Sequence, residues 1–257
     1  MLQTKFQKDK LNVEIYENAE QLGKAAAILV ATVLNRTIAE KKYANLILAT
    51  GASQFLFLKH LKKQNIAWKK ITVFHLDEYK GLSETHPASF RKYLKDRILK
   101  QVQPKEVFYL NGDAPNIETE ILQYEELLKN NPVDIACIGI GENGHIAFND
   151  PPVADFNDPL WVKTVKLDDA CRQQQYGEGW FPTFEDVPEE ALSLTIPAIM
   201  ASKSIVCTVP DERKSKAVRN TLLGKIDTSC PASILRTHSN AVLLLDQHAA
   251  SKIHMKD

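Results

Sequence analysis

Between Val133 and Pro152 the chain reads VDIACIGIGENGHIAFNDPP, and no other stretch limits the fold as much. Its first part, Val133 to Gly139, is an apolar run with β-branched residues, interrupted only by Asp134. A strand that is apolar on both faces belongs inside a parallel sheet covered by helices. The second part places three of the chain's ten glycines, Gly139, Gly141 and Gly144, within six residues. Glycine reaches positive φ and lets a ligand or another segment come close. Glu142, Asn143 and His145 stand among these glycines, and Asp150 follows. A buried strand that opens into such a turn is where an open α/β sheet places its ligand.

The flanking sequence repeats the strand–helix alternation. Leu11 to Tyr16 alternates and is expected as an edge strand, and Asn18 caps a helix over Ala19 to Lys41. Further strands are expected at Asn45–Ala49, Ile71–Leu76, Val107–Leu110, Trp161–Leu167, Ala191–Thr195, Ser204–Val209 and Asn240–Asp246. Helices are expected over Ser53–Gln64, Phe90–Lys100 and Ile117–Lys129, after Asp168-Asp169, at Ile196–Met200, after Asp211 and over Gln247–Lys252. Val153–Leu160 and Gly177–Phe181 read as loops. This pattern predicts an α/β fold with a doubly wound, mostly parallel sheet and helices on both faces, Rossmann-like, with residues 1–257 as a single domain.

Two other strand ends carry chemistry. After Asn45–Ala49 come Thr50, Gly51, Ala52 and Ser53, hydroxyls and a glycine at a helix N-terminus, where free N–H groups can receive a phosphate. The turn is neither a Walker loop nor a GxGxxG, and Ser at an N-cap is equally at home for structural reasons alone. After Ile71–Leu76 come Asp77 and Glu78, adjacent carboxylates that are unfavourable at a buried strand end unless solvated, paired or used. Downstream, Arg213, Lys214, Lys216 and Arg219 share one helix, and Lys214 lies near enough to its start to reach an anion.

Bulk properties remove several classes of function. Lys+Arg and Asp+Glu both number 32, so there is no overall field to draw in nucleic acid or an anionic membrane. Cys137, Cys171, Cys207 and Cys230 form no CxxC pair and read as reduced, buried thiols of a cytoplasmic protein. The N-terminus does not resemble a signal peptide, and no apolar run reaches the ~18 residues of a membrane span. No GxSxG elbow supports covalent acyl chemistry, and no HxxxH-type spacing calls for a metal. The residues alone point to acid–base chemistry on a phosphorylated small molecule.

Four words carry a resemblance: LATGASQ at Leu48–Gln54, FHLDEYKGL at Phe74–Leu82, GIGENGHIAFNDP at Gly139–Pro151 and ERKSKAV at Glu212–Val218. In order and spacing the chain resembles the glucosamine-6-phosphate deaminase (isomerase) and 6-phosphogluconolactonase family from about residue 15 to 250. DEYxGL together with GHIAFN favours the deaminase branch. The resemblance implies that glucosamine 6-phosphate sets its phosphate on Thr50, Gly51, Ala52 and Ser53, helped by Lys214. His145, oriented by Asp150, would open the sugar ring, and Asp77 would move the C2 proton to C1 through an enolamine. Asn143 and Glu78 complete the expected catalytic set, with no redox cofactor or metal. The expected partner is a small phosphorylated amino sugar, with no nucleic acid or membrane, and self-association into a homo-oligomer stays open.

The chain also departs from the family pattern. Deaminases usually carry Asp where Asn143 stands and Glu where Asp150 stands. The shorter side chain draws the carboxylate back by about 1.5 Å, and Asn143 removes a negative charge near His145. Where deaminases offer an arginine to the phosphate, a gap-free count gives Gln175, with Arg172 as the substitute. Val153 and Trp161 stand near positions that allosteric members fill with serine or basic residues, and Lys163 alone keeps a cation there. No strong activation by an N-acetylated sugar phosphate is therefore expected. A lactonase-type hydrolase, an isomerase of another amino-sugar phosphate, and a non-catalytic sugar-phosphate sensor remain as alternatives, because the fold alone separates none of them.

Overall fold

The computed structural model describes residues 1–253. In chain order the strands are β1 (Leu2–Lys8), β2 (Leu11–Tyr16), β3 (Ala44–Leu48), β4 (Ile71–His75), β5 (Asp77–Tyr79), β6 (Glu106–Val107), β7 (Ile135–Ile138), β8 (Val162–Lys166), β9 (Glu190–Leu194), β10 (Ile205–Val209) and β11 (Ala241–Asp246). The helices are α1 (Ala19–Lys41), α2 (Phe55–Leu61), α3 (Phe90–Leu94), α4 (Lys100–Val102), α5 (Ile117–Asn130), α6 (Asp169–Gly177), α7 (Ile196–Met200) and α8 (Ser215–Leu223). A π-helical turn, Lys95–Leu99, joins α3 to α4.

Eight strands form the main sheet in the order β1-β2-β11-β10-β7-β3-β4-β6. Every pairing in it is parallel except β1 with β2. From β3 the chain moves outward through β4 to β6, then returns to the other side of β3 with β7 and continues to β10 and β11. The order therefore reverses between β3 and β7, and a crevice opens at the carboxyl ends of strands on either side of such a reversal. Period-two alternation divides each central strand between two cores. Leu46, Leu48, Ile135 and Cys137 pack with α1 and α2 on one face. Ile47, Ala136 and Ile138 pack on the other with Tyr124 and Leu128 of α5 and Val218 and Leu222 of α8. Fully burying one such Ile or Leu stabilises the fold by about 1.5–3 kcal/mol.

Helix α1 follows its sequence signals. The Asn18 side chain accepts from the Gln21 N–H at its start, and Leu22, Ala26, Val30, Leu34 and Ile38 recur every four residues as its buried stripe. It is long and apolar enough to cross a membrane by length and composition, yet this stripe lies in the core beside α2 and the sheet.

Several expectations need correction. Leu11–Tyr16 is not the edge, because β1 pairs outside it. The expected Val107–Leu110 strand is confined to Glu106–Val107. No helix forms over Gln247–Lys252: the Asp246 side chain accepts from the Ala249 N–H at 2.8 Å and the segment stays in isolated turns. Trp161–Leu167 and Ala191–Thr195 do yield strands, but these leave the main sheet. They form β8 and β9 of a three-stranded antiparallel sheet, ordered β5-β9-β8. This small sheet has its own apolar core, in which Tyr79, Phe90, Phe148 and Phe181 meet.

Candidate active site

One cleft takes in the ends of β3, β4 and β7. Its lining includes Thr50, Gly51, Ala52, Ser53, Asp77, Gly139, Gly141, His145, Gln175, Glu178 and Lys214. The sequence reading is thus brought together for the phosphate turn, Asp77, His145 and Lys214.

The turn after β3 begins at Gly51, whose φ of +91° suits glycine. Ala52–Gln54 then make a short 3-10 turn that continues into α2. Two side chains fix it from below. Tyr93 Oη donates to the Gly51 carbonyl at 2.8 Å, and Gln54, fully buried, donates to Ser53 Oγ while accepting from Thr208 Oγ1 of β10. The early N–H groups of such a turn have no intrahelical acceptor and point outward. Lys214 faces them. It closes a 3-10 turn capped by the Asp211 side chain and is almost wholly buried. Burial lowers its pKa, a pull that Glu178 and Glu142 oppose. Among the described residues no carboxylate comes within ion-pair distance of its amine, and the side chain lines the cleft.

Asp77 opens β5 directly after β4, with only Leu76 between. Its side chain is buried apart from the face it gives the cleft. Burial raises its pKa well above the usual carboxylate range, and the neighbouring Glu78 charge adds to the effect. Below it lies His75. The Leu110 N–H donates to His75 Nε2 at 2.9 Å, so the ring proton sits on Nδ1, which donates to the Asp77 carbonyl at 2.9 Å. Burial holds this imidazole neutral, with its pKa lowered to about 3. The backbone of Asp77 is therefore held by a side chain that does not titrate near neutrality.

The loop after β7 is folded on itself. The Gly141 N–H donates to the His145 carbonyl, and the His145 N–H donates to Asn143 Oδ1. A Cβ on Gly141 would lie 2.2 Å from the His145 ring, so only glycine leaves room for the imidazole. Gly144 turns the chain at a φ of +93°. Behind His145, Asp150 Oδ1 stands 2.7 Å from Nδ1 and accepts the Asn143 amide at 2.8 Å. The carboxylate approaches the ring nitrogen off the line of a straight hydrogen bond, and Oδ2 has no hydrogen-bond partner among the described residues. Burial alone would raise the Asp150 pKa, but the His145 charge and the donors around it, Asn143 among them, bring it below the usual range. Asn143 and Asp150 thus act on His145 from behind rather than lining the cleft.

Two predicted residues are not at the site. Glu78 points into the protein on the opposite side of β5, as adjacent strand residues must. Its Oε1 accepts the Tyr79 and Phe90 N–H groups, and its Oε2 accepts Ser89 Oγ and the Arg91 N–H and Nε at 2.8–3.0 Å. Expected as a catalytic carboxylate, it is instead one half of a buried ion pair. Arg172, expected as a phosphate ligand, donates to the Val187 and Phe184 carbonyls and lies over the Phe184 ring at 4.4 Å.

Of what α6 does bring, the gap-free count pointed to Gln175, and sequence reasoning missed Gln174 and Glu178. Gln174, Gln175 and Glu178 reach the cleft from the helix and its C-cap. Gln174 Oε1 accepts the Glu142 N–H, bridging α6 to the glycine turn. Gln175 Oε1 accepts from the buried Tyr79 hydroxyl at 2.8 Å, which leaves its NH2 end for the cleft. The signal was there: 171, 174, 175 and 178 form an i, i+3, i+4, i+7 stripe, which excludes 172.

Residues 17–244 match the family described as glucosamine-6-phosphate isomerases/6-phosphogluconolactonase. A glucosamine-6-phosphate deaminase of Listeria monocytogenes is 36% identical over 219 residues, covering 85% of this chain and 92% of the relative. The solved structure of a monomeric glucosamine-6-phosphate deaminase superposes with a TM-score of 0.85 at 34% identity, covering 93% of this chain and 98% of that one. A 6-phosphogluconolactonase from Shewanella baltica, at 16% identity and a TM-score of 0.76 over 95% of this chain and 100% of its own, shares the fold alone. The chain belongs to the glucosamine-6-phosphate isomerase/6-phosphogluconolactonase family.

Proposed function

We propose that the protein converts glucosamine 6-phosphate and water to fructose 6-phosphate and ammonia. One observation carries this reading: Asp77 and His145 line a single cleft that also contains the Thr50–Ser53 turn and Lys214. The phosphate is received by the N–H groups of the turn, the hydroxyls of Thr50 and Ser53, and the Lys214 amine. His145, oriented by Asp150 and Asn143, takes the O1 proton of the pyranose and delivers a proton to O5, so that the ring opens. Asp77 removes the C2 proton to give the enolamine and returns it to C1. The resulting imine at C2 adds water and releases ammonia. A carboxyl whose pKa is pushed up by burial is suited to both taking and returning that proton.

The four buried free thiols support the cytoplasmic location expected above. Ammonia and fructose 6-phosphate measured from glucosamine 6-phosphate, with 6-phosphogluconolactone hydrolysis in parallel, test the assignment. Ammonia release with C2 proton exchange supports the deaminase. Lactone hydrolysis without ammonia overturns it in favour of the hydrolase branch.

A further inference from the structure

The two oxygens of Asp150 are used unequally. Oδ1 receives the Asn143 amide and faces His145, whereas Oδ2 is sealed from solvent with no hydrogen-bond partner among the described residues. A buried carboxylate oxygen left without a donor is strongly unfavourable. A thiol lies beside this gap. Cys171 Sγ, the Asp150 carboxylate and a His145 ring nitrogen all lie within 4.8 Å of one another. Cys171 is itself buried, in the first turn of α6, on the stripe that α6 turns toward the cleft. Burial keeps the thiol protonated, and the Asp150 charge adds to this, so it is a donor and not a nucleophile.

We propose that Cys171 is a positioning residue: its S–H is donated to Asp150 Oδ2, fixing the carboxylate that orients His145 and tying α6 to the ring-opening pair. This rests on the deaminase reading of His145 and Asp150. A thiol at this place is otherwise unexplained, since its surroundings, Tyr79, Phe148 and Val165 among them, would accept an apolar side chain of similar size. The bond also links the segment that carries Gln174, Gln175 and Glu178 to the glycine turn, next to the Gln174–Glu142 bridge.

The test compares Cys171→Ser, which keeps a donor, with Cys171→Val, which keeps apolar volume, with chelator present throughout and folding checked by thermal unfolding. If Val fails to fold, Ala replaces it. The expected result is a Val variant with kcat down about tenfold, the scale of one hydrogen bond to a charged group, and KM little changed. Ser should stay near wild type. The slowed step is ring opening, so the isotope effect of C2-deuterated substrate on kcat should shrink toward unity in Val and not in Ser. A Val variant as active as Ser, or more so, makes Cys171 a packing residue and overturns the proposal. A wild-type enzyme that releases no ammonia overturns the deaminase reading and this inference together, whereas normal wild-type activity with no Ser–Val difference overturns this inference alone.

Discussion

Replacing Asp77 by Asn should abolish turnover and at the same time stabilise the protein. Asp77 is a buried carboxylate with no protein donor on its side chain among the described residues and another carboxylate, Glu78, beside it, which is why its pKa lies well above the usual range. An acid whose folded-state pKa is raised favours the native state only below its unfolded value, ~3.9. That advantage is lost as pH rises through the folded value, so near neutrality the buried carboxyl opposes folding. An amide of the same shape removes the charge and keeps some unmet polarity of its own, leaving a net gain of about 1–2 kcal/mol. For a chain of this size that raises Tm by about 2–8 °C near neutral pH, with the gap closing in acid. Loss of a placed proton-transfer group should lower kcat by ~10²–10⁴-fold. Calorimetry of both proteins at several pH values, with an ammonia assay, checks each part. Near wild-type kcat would remove Asp77 from the chemistry. A Tm gap that is negative, or as large in acid as at neutrality, would refute the account of its burial.

Other variants separate the parts of the site. Arg91→Ala strands the buried Glu78 carboxylate and should destabilise by about 3–5 kcal/mol in denaturant unfolding. Lys214→Ala should raise KM for the phosphorylated sugar by roughly 10–100-fold, the scale of a charged hydrogen bond, with a smaller change in kcat. Gly141→Ala places a Cβ 2.2 Å from the His145 ring, so the imidazole must shift and kcat should fall about 10²-fold, with KM little altered. Saturation curves should not sharpen from sigmoidal to hyperbolic on adding an N-acetylated sugar phosphate, because the Lys163 amine is already held by Asp158 Oδ2 at 2.7 Å and the Val153 carbonyl at 2.9 Å.

How much of this was legible in the sequence depended on the kind of signal. Buried parallel strands announce themselves, since an apolar run such as Leu46-Ile47-Leu48 needs no partner to be recognised, and the residue that ends it marks the cleft. Strand β1 gave almost nothing: in LQTKFQK only Phe6 is a clear inward apolar residue, and its pairing with β2 is a tertiary fact. The small sheet was invisible for the same reason, because strand identity does not say which sheet a strand joins. The misplacement of Glu78 was avoidable. Neighbours in a strand face opposite sides, so Asp77 and Glu78 could never both reach the cleft. Arg172 was favoured for its charge, while the helical period that puts Gln175 and Glu178 on the cleft face was already present.

Asp77 begins the small sheet, yet two residues earlier, at His75, the chain still belongs to the main sheet, whose neighbouring strand ends in the Thr50–Ser53 turn. The span between the Asp77 carboxylate and the Thr50–Ser53 turn is thus set by the two peptide links across Leu76 and one inter-strand step, with His75 clamping the joint. There is little slack in that span. A phosphosugar one carbon shorter would leave its reacting carbon short by up to about 1.5 Å, a shortfall large enough to suppress chemistry even if the anion still bound. Discrimination by substrate length then follows from where the backbone changes sheets, without any side chain dedicated to excluding the wrong sugar.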